Sequence, residues 1–100
     1  MRLVPVQRLT IIAKAVLEAR LLRLLLSAGA KGYTLTEARG QGSRGVRASE
    51  WEGRNVKIET LVSTEVAELL LERLAEDYFP RFAVVAYVEQ VSVVRGDKYI

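Results

Sequence analysis

The sequence contains no cysteine and no histidine, and these absences exclude several kinds of chemistry. Zinc sites built from Cys and His, thiol nucleophiles and Ser-His-Asp triads cannot form without them. The apolar stretches at residues 9–13 and 21–26 are too short to span a bilayer. The lack of disulfides and of a cleavable signal indicates a cytoplasmic protein. With the usual hydrolytic groups missing, ordinary hydrolase chemistry is not expected.

Bulk composition points to an oligomer that binds anions. Half of the 100 residues are hydrophobic, which is much for a chain of this length to bury in a monomer. We therefore expect one domain, residues 1–100, that shares apolar surface between subunits. The net charge is +3, and eleven of the fifteen basic residues are arginine. Arginine favours bidentate binding of an anion, although a GC-rich gene would produce the same bias.

Hydrophobic periodicity predicts six elements in the order β-α-β-β-α-β. Strands are expected at residues 7–13, 32–38, 55–62 and 82–94, with a bulge at Glu89 and Gln90. Helices are expected at residues 15–28 and 63–78; Gly29 ends the first, Ser63 and Thr64 cap the second, and Pro80 prevents its continuation. This order predicts an α+β, ferredoxin-like fold.

Side-chain patterns on the two helices predict which surfaces are buried. The first helix carries a core-facing stripe made of Leu17, Leu21, Leu24, Leu25 and Ala28. A second stripe with Leu22 and Leu26 predicts a subunit contact, the alternative being scattered surface leucines. On the second helix, a solvated face is predicted for Glu65, Glu68, Glu72 and Glu76, in preference to a metal site.

A long loop of sequence RGQGSRGVRASEWEGR, residues 39–54, separates the second and third strands. Its first nine residues contain three arginines and three glycines and no acid. Glycines let backbone N–H groups approach a phosphate, and guanidinium groups bind phosphate oxygens in pairs. The composition indicates a phosphate-binding loop, with a solvated hairpin tip as the alternative.

Several known phosphate and RNA motifs fit this loop poorly. Gly40, Gly42 and Gly45 spell GxGxxG, yet no helix follows to hold a pyrophosphate, and no GK[ST] supports a P-loop. The GXXG segment at residues 42–45 matches KH domains but lies between strands instead of helices, and the aromatic spacing of RRM domains is absent. An acylphosphatase-like phosphate loop would follow the first strand, not the second. RNA binding and acyl phosphate hydrolysis remain as alternatives.

A more specific resemblance extends along the whole chain. The segment GYTLTEARGQG resembles the GxT-x-x-E-x-RG-x-G signature of the PII signalling family, with matches at Gly32, Thr34, Glu37, Arg39, Gly40 and Gly42. The segment VEQV at residues 88–91 resembles the family's VERV-like last strand. The resemblance implies a ferredoxin-like βαββαβ homotrimer with a long T-loop, about residues 39–54, between strands 2 and 3.

Departures from the family pattern narrow the resemblance. The second phosphate loop, TGxxGDGK in conventional PII proteins, is replaced by YFPRF at residues 78–82, and Trp51 stands near the usual site of tyrosine modification. Control by that modification and the usual sensing of ATP and 2-oxoglutarate are therefore not expected. The stretch GSRGVR at residues 42–47 resembles the GSRxVR segment of the PII-like SbtB proteins of cyanobacterial carbon concentration. That type binds adenyl nucleotides, including cyclic AMP, in clefts between subunits and docks on the bicarbonate transporter SbtA.

The resemblance also assigns roles to individual residues. The phosphate would be held in the T-loop by Gly42, Ser43, Arg44 and Arg47. The nucleotide would be bordered by Gly32, Tyr33, Thr34 and Leu35. Backbone contacts to adenine would come from Ala83, Val84 and Val85. A partner protein would contact the loop tip at Glu50, Trp51 and Glu52, the alternative for the tryptophan being an aromatic folded back on the sheet.

The sequence thus predicts a PII-like regulator that senses an adenyl nucleotide and controls bicarbonate uptake by binding an SbtA-like transporter. The effector would be cAMP, AMP, ADP or ATP, and whether a divalent cation accompanies ATP is left open. Such a protein would be cytoplasmic and peripheral at the inner membrane when bound, with no catalytic residue, no metal site and no nucleic acid partner. The closest alternative is a carboxysome-associated PII-like protein that binds AMP or ADP and bicarbonate.

Overall fold

Four antiparallel strands form one sheet, and two helices cover one of its faces in the computed structural model, which describes residues 1–40 and 54–100. The strands are β1 (Val4–Lys14), β2 (Thr34–Ala38), β3 (Asn55–Val62) and β4 (Val85–Val93). The helices are α1 (Glu18–Ala28) and α2 (Thr64–Asp77), and short 3-10 turns occupy Ala15–Leu17 and Gly96–Lys98. The predicted α+β class and β-α-β-β-α-β order are confirmed.

The strands lie in the order β2-β3-β1-β4, so β1 and β3 are central and β2 and β4 are the edges. The pairing of β1 with β4 runs without interruption from Val4 opposite Val93 to Ile12 opposite Val85. The bulge predicted at Glu89 and Gln90 is therefore wrong. The alternation breaks there because the apolar residues move to the other face of the strand, and no extra residue is inserted.

The core lies between the helices and one face of the sheet. On β3, Val56, Ile58 and Thr60 share the buried face, as the alternating pattern predicts. The helices contribute the buried side chains of Leu17, Leu21, Leu25, Ala67, Leu70, Leu74 and Tyr78. Leu24 and Ala28 are half-buried against this core, so the stripe of α1 that was predicted to face the core does pack against it.

Local signals determine where the helices begin and end. Gly29 follows α1 with a φ of 112°, in the left-handed region that glycine adopts without strain, and its N–H donates to the carbonyls of Leu25 and Leu26. At the start of α2, the Ser63 hydroxyl accepts a hydrogen bond of 3.2 Å from the Val66 N–H. This is the side-chain cap that the sequence predicts.

The second stripe predicted on α1 is not a free surface along its whole length. Leu22 is half-buried and packs against the core, whereas Leu26 remains 53% exposed. Leu22 therefore has a packing role within its own chain, which the predicted subunit contact did not include. The acidic stripe on α2 is exposed as predicted, and within residues 1–40 and 54–100 no cluster of acidic groups could hold a metal ion. In the same described part of the chain, no helix is long and apolar enough to cross a membrane.

No helix formed by residues 1–40 or 54–100 lies on the second face of the sheet, which we call the open face. The register assigns to it the even-numbered residues of β1 and the odd-numbered residues of β3 and β4. Several are apolar, and Val85 and Tyr87 are 53% and 42% exposed. The same face also carries a polar pair, in which Arg8 of β1 forms a salt bridge with Glu89 of β4.

Candidate functional site

A cavity of about 490 Å³ lies on the open face beside the beginning of β2. Three of the predicted nucleotide-bordering residues line it, namely Gly32, Tyr33 and Thr34. The fourth, Leu35, pairs with Ile58 and packs against the core on the opposite face of β2. The structure therefore brings three of these four residues together, and strand alternation separates the last from them.

A buried hydrogen bond fixes the segment that leads into β2. The hydroxyl of Thr60 on β3 donates to the Gly32 carbonyl oxygen at 2.7 Å. Thr60 itself is only 2% exposed, so little water reaches this bond. The bond ties this wall of the cavity to a central strand.

The far wall of the cavity comes from the turn after β4. Lys98 and Tyr99 line the cavity and lie close together, with the Lys98 ammonium 5.8 Å from the Tyr99 ring centroid. This segment is tied back to the start of β2 because the Lys31 ammonium donates to the Ile100 carbonyl oxygen at 2.6 Å. The sequence analysis missed these residues. Their only local signal is the Arg95-Gly96 pair, which forms a left-handed turn with a φ of 59° at Arg95.

Charge around the cavity is mainly positive. Arg8, Lys31 and Lys98 line it, and Glu59 is the acid among the lining residues. Glu59 is itself 3.8 Å from the Lys57 ammonium, and Arg8 is paired with Glu89, so Lys31 and Lys98 supply most of the net positive charge. A concave surface with this balance attracts an anion and supplies donors for its oxygens.

The Arg8 guanidinium is held in place by the Glu89 carboxylate. Their hydrogen bond, together with the negative charge of Glu89, raises the pKa of Arg8 above its ordinary value. A base with a raised folded pKa keeps the associated stability until pH rises through that pKa, and an arginine is protonated throughout the neutral range even without such a shift. Arg8 is therefore a permanent cation at this site at every pH used for binding experiments.

The predicted adenine-contacting segment lies at the other edge of the sheet. Ala83 and Val84 lead into β4, and Val85 begins it, opposite Ile12. Strands β3 and β1 separate β4 from β2, so the two predicted parts of the site are at least about 14 Å apart, the three strand spacings of about 4.8 Å across the sheet. Within one chain the structure does not bring them together.

The remaining predicted residues fall in the T-loop. Those for phosphate and for a partner lie outside the described residues: Gly42, Ser43, Arg44, Arg47, Glu50, Trp51 and Glu52. The base of the hairpin is described on both sides. Ala38 pairs with Asn55, and the Arg54 guanidinium is 3.1 Å from the Glu37 carboxylate. This base is about 13 Å along β2 from Thr34, four residues at about 3.3 Å each.

Comparison with known proteins agrees with this architecture. The family model for nitrogen regulatory protein P-II matches residues 6–98. Over the full length of both chains, the sequence is 57% identical to a PII-like signaling protein from Thermus thermophilus, with a TM-score of 0.88. CPII from Thiomonas intermedia, solved with ADP and bicarbonate, is 29% identical over 99% of this chain and 98% of its own, with a TM-score of 0.88. CPII solved with ADP, AMP and acetate is 27% identical over the same shares, with a TM-score of 0.84. The chain belongs to the nitrogen regulatory protein P-II family.

Proposed function

We propose that this protein is a trimeric, non-enzymatic sensor that binds AMP or ADP, together with bicarbonate, and signals through its T-loop. Its relationship to CPII, which was solved with ADP, AMP and bicarbonate, supports this choice of ligands. This is the carboxysome-type alternative among the sequence predictions. It now ranks above the transporter regulator because a relative with those ligands covers nearly the whole chain.

One observation carries the proposal. Gly32, Tyr33 and Thr34 lie at one edge of the sheet, and Ala83–Val85 lie at the other. A single nucleotide can contact both segments only if they come from two chains. A ring of subunits in which the β2 edge of one chain meets the β4 edge of the next supplies such clefts. The apolar residues of the open face support burial of this face between subunits.

The positive cavity accounts for the chemistry of the ligand. The adenosine would lie against Tyr33 and Thr34, and adenine would take backbone hydrogen bonds from residues 83–85 of the neighbouring chain. Lys31 and Lys98 face the same cavity and suit the negative charge of a phosphate or of bicarbonate. In the T-loop, Ser43, Arg44 and Arg47 would hold the phosphate with Gly42, as the resemblance implies.

A second candidate function rests on the GSRGVR segment at residues 42–47. Its likeness to the SbtB type supports a regulator of a bicarbonate transporter that responds to cAMP, AMP, ADP or ATP. The tip residues Glu50, Trp51 and Glu52 would then contact the transporter. RNA binding has little support, because Tyr87 is the one aromatic residue that the described strands present on the open face.

Calorimetry tests the proposed site. We expect the wild-type protein to bind AMP and ADP, and the double variant Arg44→Ala/Arg47→Ala to lose affinity by about tenfold or more, because each charge-assisted hydrogen bond contributes about 1.5 to 3 kcal/mol. Arg23→Ala/Arg73→Ala removes the same charge from exposed helix positions and is the matched control. Unchanged affinity in the first double variant would remove these arginines from the site.

Two further binding measurements separate the two candidate functions. Bicarbonate that raises the affinity for ADP supports the first. Nucleotide-dependent binding to membranes containing a bicarbonate transporter, with no effect of bicarbonate on ADP affinity, supports the second. Titrating the protein with ATP in the presence and absence of Mg²⁺ decides whether a divalent cation accompanies the triphosphate.

A further inference from the structure

The turn between α2 and β4, residues 78–84, is built from hydrogen bonds and aromatic packing, without glycine. The N–H groups of Arg81 and Phe82 both donate to the Tyr78 carbonyl oxygen, at 3.0 and 2.8 Å. The Val84 N–H then donates to the Phe82 carbonyl at 3.0 Å. This turn delivers the chain directly into residues 83–85, and its geometry therefore sets where their backbone groups point.

Arg20 of α1 covers the outside of this turn. Its guanidinium carbon lies 5.4 Å from the Tyr78 ring centroid and 5.7 Å from that of Phe82. The two rings pack against each other with centroids 6.0 Å apart, tilted by 45°. Both guanidinium distances are within the range in which a cation is attracted to an aromatic face. Among the described residues, no carboxylate pairs with Arg20, so the two rings are its observed partners.

Phe82 is consequently held from two sides. Its inner side packs against the hydrophobic core, and Arg20 lies over its ring. Phe82 also directly precedes Ala83, the first residue of the segment assigned to adenine. Because the ring is anchored on both sides, the Phe82 backbone and the peptide that leads to Ala83 cannot shift without breaking these contacts.

We propose that Arg20 is a positioning residue for nucleotide binding: by clamping Tyr78 and Phe82, it fixes the backbone of Ala83–Val85 for hydrogen bonding to adenine. The inference rests on the proposed function, since it concerns the same cleft. Backbone recognition of a flat base requires donors and acceptors to be placed within about 0.5 Å, and supporting side chains provide that precision. Arg20 acts through the two rings and makes no contact with the ligand itself.

The variant Arg20→Met tests this role, because it keeps an apolar stem over the rings and removes the cation. We expect the affinities for AMP, ADP and ATP to fall by the same factor, about threefold to tenfold, since adenine is common to all three. Arg20→Lys restores a cation over the rings and should recover part of the loss. Arg23→Met, on an exposed position of the same helix, should bind all three nucleotides like the wild type.

Two results would overturn the proposal. A loss that grows with the number of phosphates would mean that Arg20 binds phosphate directly. Wild-type affinity in Arg20→Met would mean that the clamp is irrelevant to binding.

Hydrogen exchange gives a second readout that needs no ligand. In the nucleotide-free protein, the amides of residues 83–85 should exchange faster in Arg20→Met than in the wild type, and at the wild-type rate in Arg23→Met. Equal rates in all three proteins would contradict the clamp even if Arg20→Met were too unstable for titration. A wild-type protein that binds none of the nucleotides would instead overturn the proposed function, while the exchange rates still decide whether Arg20 holds the turn.

Discussion

Gly96 has the least room of the glycines in the described chain. A Cβ built on it would lie 2.7 Å from the Cβ of Val4 and 2.9 Å from both of its methyl groups. Such distances are not tolerated between carbon atoms, so only glycine lets the turn after β4 rest on β1. The turn carries Lys98 and Tyr99, and the wall of the cavity therefore depends on one missing methyl group.

Gly96→Ala should lower the free energy of unfolding by about 1 to 3 kcal/mol, measured by chemical denaturation, because the new methyl group forces Val4 or the turn to move. Gly32→Ala is the matched control, because its Cβ would meet no heavy atom within 4 Å and should change stability little. Adding Val4→Gly to Gly96→Ala removes all three clashing atoms, so the double variant should lose less stability than the sum of the two single variants. Equal stability of the two glycine variants would contradict the packing described for Gly96.

The residues that form the site differ in how well the sequence alone predicts them. Gly32 and Thr34 belong to a recognisable local pattern, and the structure brings them to the cavity together with Tyr33. Arg8, Lys31 and Lys98 were not predicted, because they reach the cavity through pairing between distant strands and through a turn that folds back. Contacts between residues tens of positions apart leave no periodic signal in a single sequence.

At the scale of elements, local signals predict helix ends better than strand ends. Gly29 and Ser63 end and begin helices as expected, whereas β3 is the one strand of the four whose predicted bounds agree at both ends. Strand β1 is longer than predicted because both neighbours pair with it, including Pro5 opposite Ser92 of β4. The length of a strand depends on the neighbouring strands that pair with it, and this pairing is a property of the tertiary fold.

The cap at Ser63 gives a prediction for α2. Ser63→Ala should lower stability by about 1 kcal/mol, because the Val66 N–H loses its acceptor. Ser63→Asn retains a capping oxygen and should stay within a few tenths of a kcal/mol of the wild type. The two variants are compared by urea denaturation. A loss of equal size in both would show that the serine acts by some means other than capping.

The whole molecule presents two unlike faces. Helices α1 and α2 seal one side of the sheet, and the open face leaves apolar side chains such as Val85 and Tyr87 exposed. Composition alone predicts shared apolar surface but cannot say where it lies. The sequence analysis assigned it to Leu22 and Leu26 on α1, whereas the packing of Leu22 against the core favours the open face.

A pair of lysine substitutions distinguishes these surfaces. Tyr87→Lys should dissociate the proposed trimer, because it places a charge in the subunit interface that we propose on the open face, whereas Leu26→Lys on α1 should leave the trimer intact. Light scattering measures the outcome as a fall from three times the 11.2 kDa chain mass toward a single chain. Both side chains are exposed in the isolated chain, so neither substitution disturbs the packing of the hydrophobic core. If Leu26→Lys dissociates the trimer and Tyr87→Lys does not, the subunit contact lies on the α1 stripe and not on the open face.

The strand order β2-β3-β1-β4 has a genetic consequence. In the proposed ring each subunit contributes opposite edges to two different clefts, so a chain that is mutated at its β2 edge still contributes an intact β4 edge to its neighbour. Mixed trimers of a β2-edge mutant and a β4-edge mutant regain one cleft made of two undamaged halves. Two alleles that are each inactive alone are thus expected to complement each other when expressed together.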